Sequence, residues 1–184
     1  MTEGFRPVQR PGGSGSARPS REKVEAFIGV GSNLNHPKER CAEAMTRVGN
    51  AEGVQVIGRS RWYATAPVGP VDQQDFVNGV LRAETRLDPA DLLGTLKAIE
   101  ADMGRRDGLR WGPRVIDLDL LLFGDRVSAG PNLTIPHPEI GERRFVLAPL
   151  CDLAPDGIHP ISRKTFRQML EDLGEGQRVV PIPE

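Results

Sequence analysis

The stretch RVIDLDLLLF, residues 114–123, decides the fold. Read at a period of two, it is a strand. Ile116, Leu118, Leu120 and Leu122 take one face and anchor in a core, while Asp117 and Asp119 lie side by side on the other, about 7 Å apart. This strand closes a series that can be followed backwards. Helical apolar spacing at Leu92, Leu93, Leu96, Ile99 and Met103 precedes it, started by Asp88-Pro89 and stopped by Gly104. Before that helix lie two strands, 76–85 and 54–63, separated by a loop dense in proline and glycine. Earlier still, Pro37 opens a helix with Cys41, Met45 and Val48 on one stripe and Gly49 at its end, and residues 23–30 form the first strand. The order is β-α-β-β-α-β, the ferredoxin-like α+β pattern. It predicts an antiparallel sheet with helices packed on one face. C-terminal helices follow, a short one in RRFVLAPLCDLAP and a last one over 162–173, with a small hairpin before them.

Bulk properties bound the rest. The 184 residues fit one domain, expected over 23–184. Residues 1–22 are rich in Gly, Pro, Ser and Arg and are expected to be a disordered tail. Net charge is -1, so no general basic field for nucleic acid exists. No apolar run approaches the ~20 residues of a membrane span. Cys41 and Cys151 form no metal spacing and read as reduced core thiols of a cytoplasmic protein.

The acid pair needs an explanation, because neighbouring carboxylates repel and resist desolvation. One reading is a solvated strand face with surface ion pairs. The other is chemical. Mg²⁺ takes one or two carboxylates plus substrate phosphates, and arginine matches phosphate oxygens in bidentate geometry. Arg105, Arg106, Arg110 and Arg114 flank the pair. Cation-holding acids beside anion-holding arginines suit a metal–polyphosphate complex. No GxxxxGK[ST] loop is present, which excludes a Walker-type site. Of the three histidines, His36 and His159 read as solvated loop residues. A palm-like nucleotidyltransferase, an RNA-binding sheet and a non-catalytic scaffold remain open on these residues alone. The acidic sheet face and the net charge weigh against the first two.

RWGPRVIDLDLL closely resembles the signature of the 6-hydroxymethyl-7,8-dihydropterin pyrophosphokinases of folate biosynthesis. FIGVGSNL, YATAPVGPVDQQDFVNGV, IEADMGR and TIPHPEIGERRFVLAPL agree in order, so the likeness covers roughly residues 24–173. The resemblance implies a ferredoxin-like enzyme that moves pyrophosphate from ATP to the hydroxymethyl-dihydropterin, leaving AMP. It implies two Mg²⁺ ions on Asp117 and Asp119, with Arg105 and Arg114 as catalytic partners. It implies pterin contacts from Thr65, the backbone around Val68, Phe76, Asn78, Trp111 and Phe145, with Tyr63 nearby. On the ATP side it implies Glu100, Arg105, Arg110, His137 and Arg143. The loop 105–112 is expected to act as a lid. A monomer without nucleic-acid or membrane partners completes the expectation.

Overall fold

The computed structural model describes residues 22–106 and 111–183. In chain order the core elements are β1 (Val24–Ser32), α1 (Pro37–Gly49), β2 (Val54–Arg59), β3 (Tyr63–Thr65), β4 (Phe76–Thr85), α2 (Pro89–Asp102) and β5 (Asp117–Phe123). β1 pairs with β5 on one side and β4 on the other, and both β2 and β3 lie along the far side of β4, all antiparallel. This is the β-α-β-β-α-β arrangement expected, of the α+β class. The hairpin is β6 (Ser128–Ala129) with β7 (Thr134–Ile135). The C-terminal helices are α3 (Arg144–Leu153) and α4 (Phe166–Asp172), the latter opened by a reciprocal capping box between Thr165 and Gln168. The expected disordered tail lies outside the described residues except for Glu22.

Several details depart from the sequence reading. First, helices cover both faces of the sheet. Cys41, Ala44 and Val48 of α1 and Leu92 and Leu96 of α2 pack with Ile28, Leu118 and Leu120. Val146, Leu147 and Leu150 of α3 and Phe166 and Met169 of α4 pack with Phe27, Val80 and Leu121 on the opposite side. An antiparallel sheet whose two faces are both apolar must be covered twice.

Second, β5 does not hold one phase. Ile28 pairs with Leu120 and Phe27 with Leu122, so Leu121 is an extra residue, a β-bulge. The slip turns Leu122 away from Leu118 and Leu120 and into the α3–α4 layer.

Third, residues 54–63 make two strands. The Ser60 backbone N–H donates to the Val80 carbonyl at 3.0 Å, and its hydroxyl accepts from the Val80 N–H at 2.9 Å. One serine thus occupies both backbone groups of Val80 and interrupts the ladder. Trp62 then crosses Gly79, where an added Cβ would stand 2.7 Å from the indole carbons. Only glycine admits that approach.

Fourth, a strand absent from the reading, β8 (Val179–Pro181), joins the edge beside β3. His159 is also buried rather than solvated, its Nδ1 accepting from the Ser162 N–H at 3.2 Å.

Gly79→Ala is expected to force the Trp62 indole aside and to cost about 1–3 kcal/mol of stability. Urea unfolding followed by tryptophan fluorescence measures this, and an unchanged midpoint would refute the close packing.

Candidate active site

A cleft partly open to solvent lies between the sheet and the start of α3. Its floor is built by register. In β1, Gly31 pairs with Asp117 on one side and Asn78 on the other, and Gly29 pairs with Asp119 and Val80. Residues directly opposite share a face, so the two acids and the amide look into one space with no side chain between them. A Cβ at Gly31 would stand 2.5 Å from Asn78 Oδ1. Asn78 is buried and its Nδ2 donates to Thr65 Oγ1 at 2.7 Å. Phe76, Val68 and Thr65 line the same end of the cleft, as do Phe145 and Trp111 on its walls. Arg114 and Arg143 line it beside the acids.

Two loops are tied to this floor by the end of β1. Asn33 Oδ1 accepts from the Arg114 N–H at 2.7 Å, and its Nδ2 donates to Gln73 Oε1 at 3.0 Å and to the Gln74 carbonyl at 3.1 Å. Gln73 Nε2 in turn donates to the Trp111 carbonyl at 2.8 Å, and Ser32 Oγ donates to the Val115 carbonyl at 2.6 Å. Ser32 and Asn33 at the end of β1 are therefore a clamp for the Trp111–Val115 backbone.

Beneath β5 lies a buried charge network. Glu100 is 3% exposed. Its Oε1 accepts from the Leu118 N–H at 2.5 Å, from Lys97 Nζ at 2.9 Å and from Arg105 Nη1 at 2.8 Å. Arg105 also donates to Asp117, and Arg114 Nη1 reaches the other Asp117 oxygen at 3.0 Å. Asp119 has a looser partner, Lys97 at 3.8 Å. The two acids consequently diverge. Burial pushes Asp117 up, but Arg105, Arg114 and Lys97 outweigh it and hold the carboxyl below its usual range. Burial and then repulsion from Asp117 raise Asp119. Burial also raises Glu100 against its hydrogen bonds. His137 is lowered by burial and by Arg143, with Asp119 opposing.

The sequence matches the 7,8-dihydro-6-hydroxymethylpterin-pyrophosphokinase family over residues 27–155. The chain belongs to this family. It is a pyrophosphokinase. It is 45% identical over 130 residues to the 2-amino-4-hydroxy-6-hydroxymethyldihydropteridine pyrophosphokinase of Pseudomonas aeruginosa, covering 71% of this chain and 80% of that one. It is 40% identical over 140 residues to the enzyme of the same name from Haemophilus influenzae, covering 76% and 88%. In three dimensions it resembles the HPPK-DHPS protein of Plasmodium falciparum, with a TM-score of 0.69 at 16% identity, covering 89% of this chain and 49% of that one. At that identity the likeness speaks for the fold.

The enzyme brings most of the expected residues together. Thr65, Val68, Phe76, Asn78, Trp111, Arg114, Asp117, Asp119, Arg143 and Phe145 share the cleft. Glu100 lies under β5 rather than on the lining, and Arg105 connects it to Asp117. His137 donates its backbone N–H to the Leu121 carbonyl at 2.9 Å, and its Nδ1 accepts from the Glu139 N–H at 3.2 Å. Arg110, and residues 107–110 of the expected lid, lie outside the described residues. Tyr63 does not line the cleft; its hydroxyl donates to Asp152 at 2.9 Å, tying β3 to α3. Lys97, Ser32, Asn33 and Gln73 were missed. Lys97 lies one helical turn before Glu100, and that i, i+3 spacing was the available signal.

The donor set fits a hard divalent cation. Asp117 and Asp119 offer carboxylate oxygens on one face, and the raised Asp119 is an acid short of positive charge. Because the folded state disfavours ionised Asp119, that group costs stability at neutral pH, and the cost fades as pH falls below the carboxylate range. Its side chain is 34% exposed, so solvent screens part of the effect. Asp119→Asn is therefore expected to raise the unfolding temperature of chelator-treated protein at pH 7 by a few degrees and to lose that advantage near pH 3. Calorimetry with EDTA checks both; a lowered unfolding temperature at pH 7 would contradict the assignment.

Proposed function

We propose that the chain transfers pyrophosphate from ATP to 6-hydroxymethyl-7,8-dihydropterin, with AMP as the other product, in the cleft over Gly29 and Gly31. The observation that carries this reading is the register of the three central strands. It faces two carboxylates and a buried amide into one space across two glycines. A metal–triphosphate and a flat hydrogen-bonding ring fit the two halves of that space.

On the pterin half, Asn78 and Thr65 supply donors and acceptors, with the backbone at Val68 and the ring of Phe76 beside them. Phe145 and Trp111 bracket a planar heterocycle by stacking. On the phosphate half, Arg114, Arg143 and Arg105 neutralise oxygens, with Arg110 and His137 as further contacts. The guanidinium of Arg143 lies 5.4 Å from the Phe145 ring centre, which joins the two halves. Glu100 acts by fixing Arg105 and Lys97. When bound, two Mg²⁺ ions held by Asp117 and Asp119 would offset triphosphate charge and acidify the substrate hydroxyl.

The transfer needs positioning rather than a covalent intermediate. The pterin hydroxyl oxygen forms a bond to the β-phosphorus, the bond from that phosphorus to the α,β-bridging oxygen breaks, and AMP departs. The hydroxyl proton passes to solvent. The reading extends to a single catalytic domain over 23–184 acting as a cytoplasmic monomer. The cytoplasmic part of it is supported by two free thiols, Cys41 buried and Cys151 half-buried. Among the described residues, no helix is long and apolar enough to cross a membrane.

Protein mixed with Mg²⁺, ATP and the hydroxymethyl-dihydropterin should yield AMP only when the pterin is present. ADP, or no turnover, would overturn the reading. Asp119→Ala should lower turnover by more than about 10²-fold. Asn78→Ala should raise KM for the pterin about tenfold, one hydrogen bond's worth, and leave KM for ATP unchanged.

A further inference from the structure

The family match ends at residue 155, yet a segment well beyond it reaches the cleft. Gln177 is half-buried and lines the cleft, and its Nε2 donates to the Ala66 carbonyl at 2.8 Å. The next residue returns the contact, because the Ala66 N–H donates to the Arg178 carbonyl at 3.2 Å. Arg178 also pairs with Asp75 at the other end of the loop that follows β3. Immediately after, β8 extends the same edge: Thr65 pairs with Val179 and Tyr63 with Pro181. The Ile182 N–H donates to the Trp62 carbonyl at 2.8 Å, and Lys38 Nζ reaches the Pro183 carbonyl at 3.2 Å. A two-stranded edge of three residue pairs is a marginal structure by itself. Here it is placed where the backbone of Thr65 and Ala66 must present its groups to a ligand.

We infer that Gln177 is a positioning residue for the pterin. It holds the Ala66 carbonyl so that Thr65 and the backbone leading to Val68 keep a binding-competent conformation. Asp117 and Asp119 are anchored from α2 and β1, by contacts that do not involve 177–183. The effect of Gln177 is therefore selective for one substrate. This inference rests on the pterin reading of the cleft. Its local claim, that the Gln177 donor rigidifies residues 65–68, stands apart from the identity of the ligand.

The test uses the full chain with Gln177→Ala and the isosteric Gln177→Glu, which keeps the shape and removes the N–H donor. With Mg²⁺ and a non-hydrolysable ATP analogue present, both variants should bind the hydroxymethyl-dihydropterin about tenfold more weakly than wild type. Affinity for the ATP analogue should be unchanged. In the ligand-free protein, hydrogen exchange of the Ala66 amide should accelerate in both variants, while amides of β1 and β5 exchange as in wild type. Wild-type pterin affinity in both variants would overturn the proposal. So would an equal loss of pterin and nucleotide binding, which marks a merely structural residue. A wild-type protein that binds no pterin would sink the functional reading of the cleft. In that case unchanged Ala66 exchange would still refute the clamp, and faster exchange would still support it.

Discussion

The carboxylate of Glu100 is the constraint on which the site depends. It is nearly inaccessible and would be costly if isolated, since removing a charge from water must be repaid by partners. Three donors meet it, one backbone and two cationic. The backbone donor is the N–H of Leu118, the residue between the two aspartates. Through this contact α2 holds β5 by the peptide that sets the direction of both acids. Arg105 carries the network onward to Asp117. The result is a graded pair: one aspartate saturated with positive charge and the next one short of it. Truncating Glu100 would leave two cations under the strand without their shared counter-charge, so its removal should disturb the site more than its distance from the cleft implies.

The sheet divides its labour by face and by length. Under α1 and α2 it is apolar core apart from the Glu100 network beneath β5. On the other face α3 and α4 cover only part of the sheet, and the cleft occupies the end left open. The bulge at Leu121 marks the boundary. On one side of it β5 presents acids to the cleft, and beyond it Leu122 joins the α3–α4 core. Strict alternation already places Leu121 on the acids' face, and the slip adds Leu122 to the same layer. Glycine at 29 and 31 then gives the open end its depth.

Much of this was readable from residue order. The period of two in 76–85 put Phe76, Asn78 and Val80 on one face, and all three line the cleft. Asp88-Pro89 and Gly104 bounded α2 because capping and φ preferences act within a few residues. Apart from the Lys97–Glu100 pair, the contacts that went unread join segments distant in the chain. Asn33 meets Arg114, Gln177 meets Ala66, and Ser60 meets Val80. A serine hydroxyl that replaces a ladder bond, or a glutamine that holds a loop carbonyl, carries no local periodicity. The break of 54–63 and the strand at 179–181 were lost for that reason. His159 was misjudged because burial of a loop residue depends on what packs over the loop.

By itself the sequence determined the order of strands and helices, the pairing of Asp117 with Asp119 on one face, and the arginines that flank them. These follow from steric rules and periodicities that operate over a few residues. Only the tertiary structure decided that the acids face Asn78 across two glycines, that Glu100 holds the peptide between them, and that helices cover both sides of the sheet. Those outcomes depend on register between strands and on which charges share a low-dielectric space, and neither quantity exists until the chain has closed on itself.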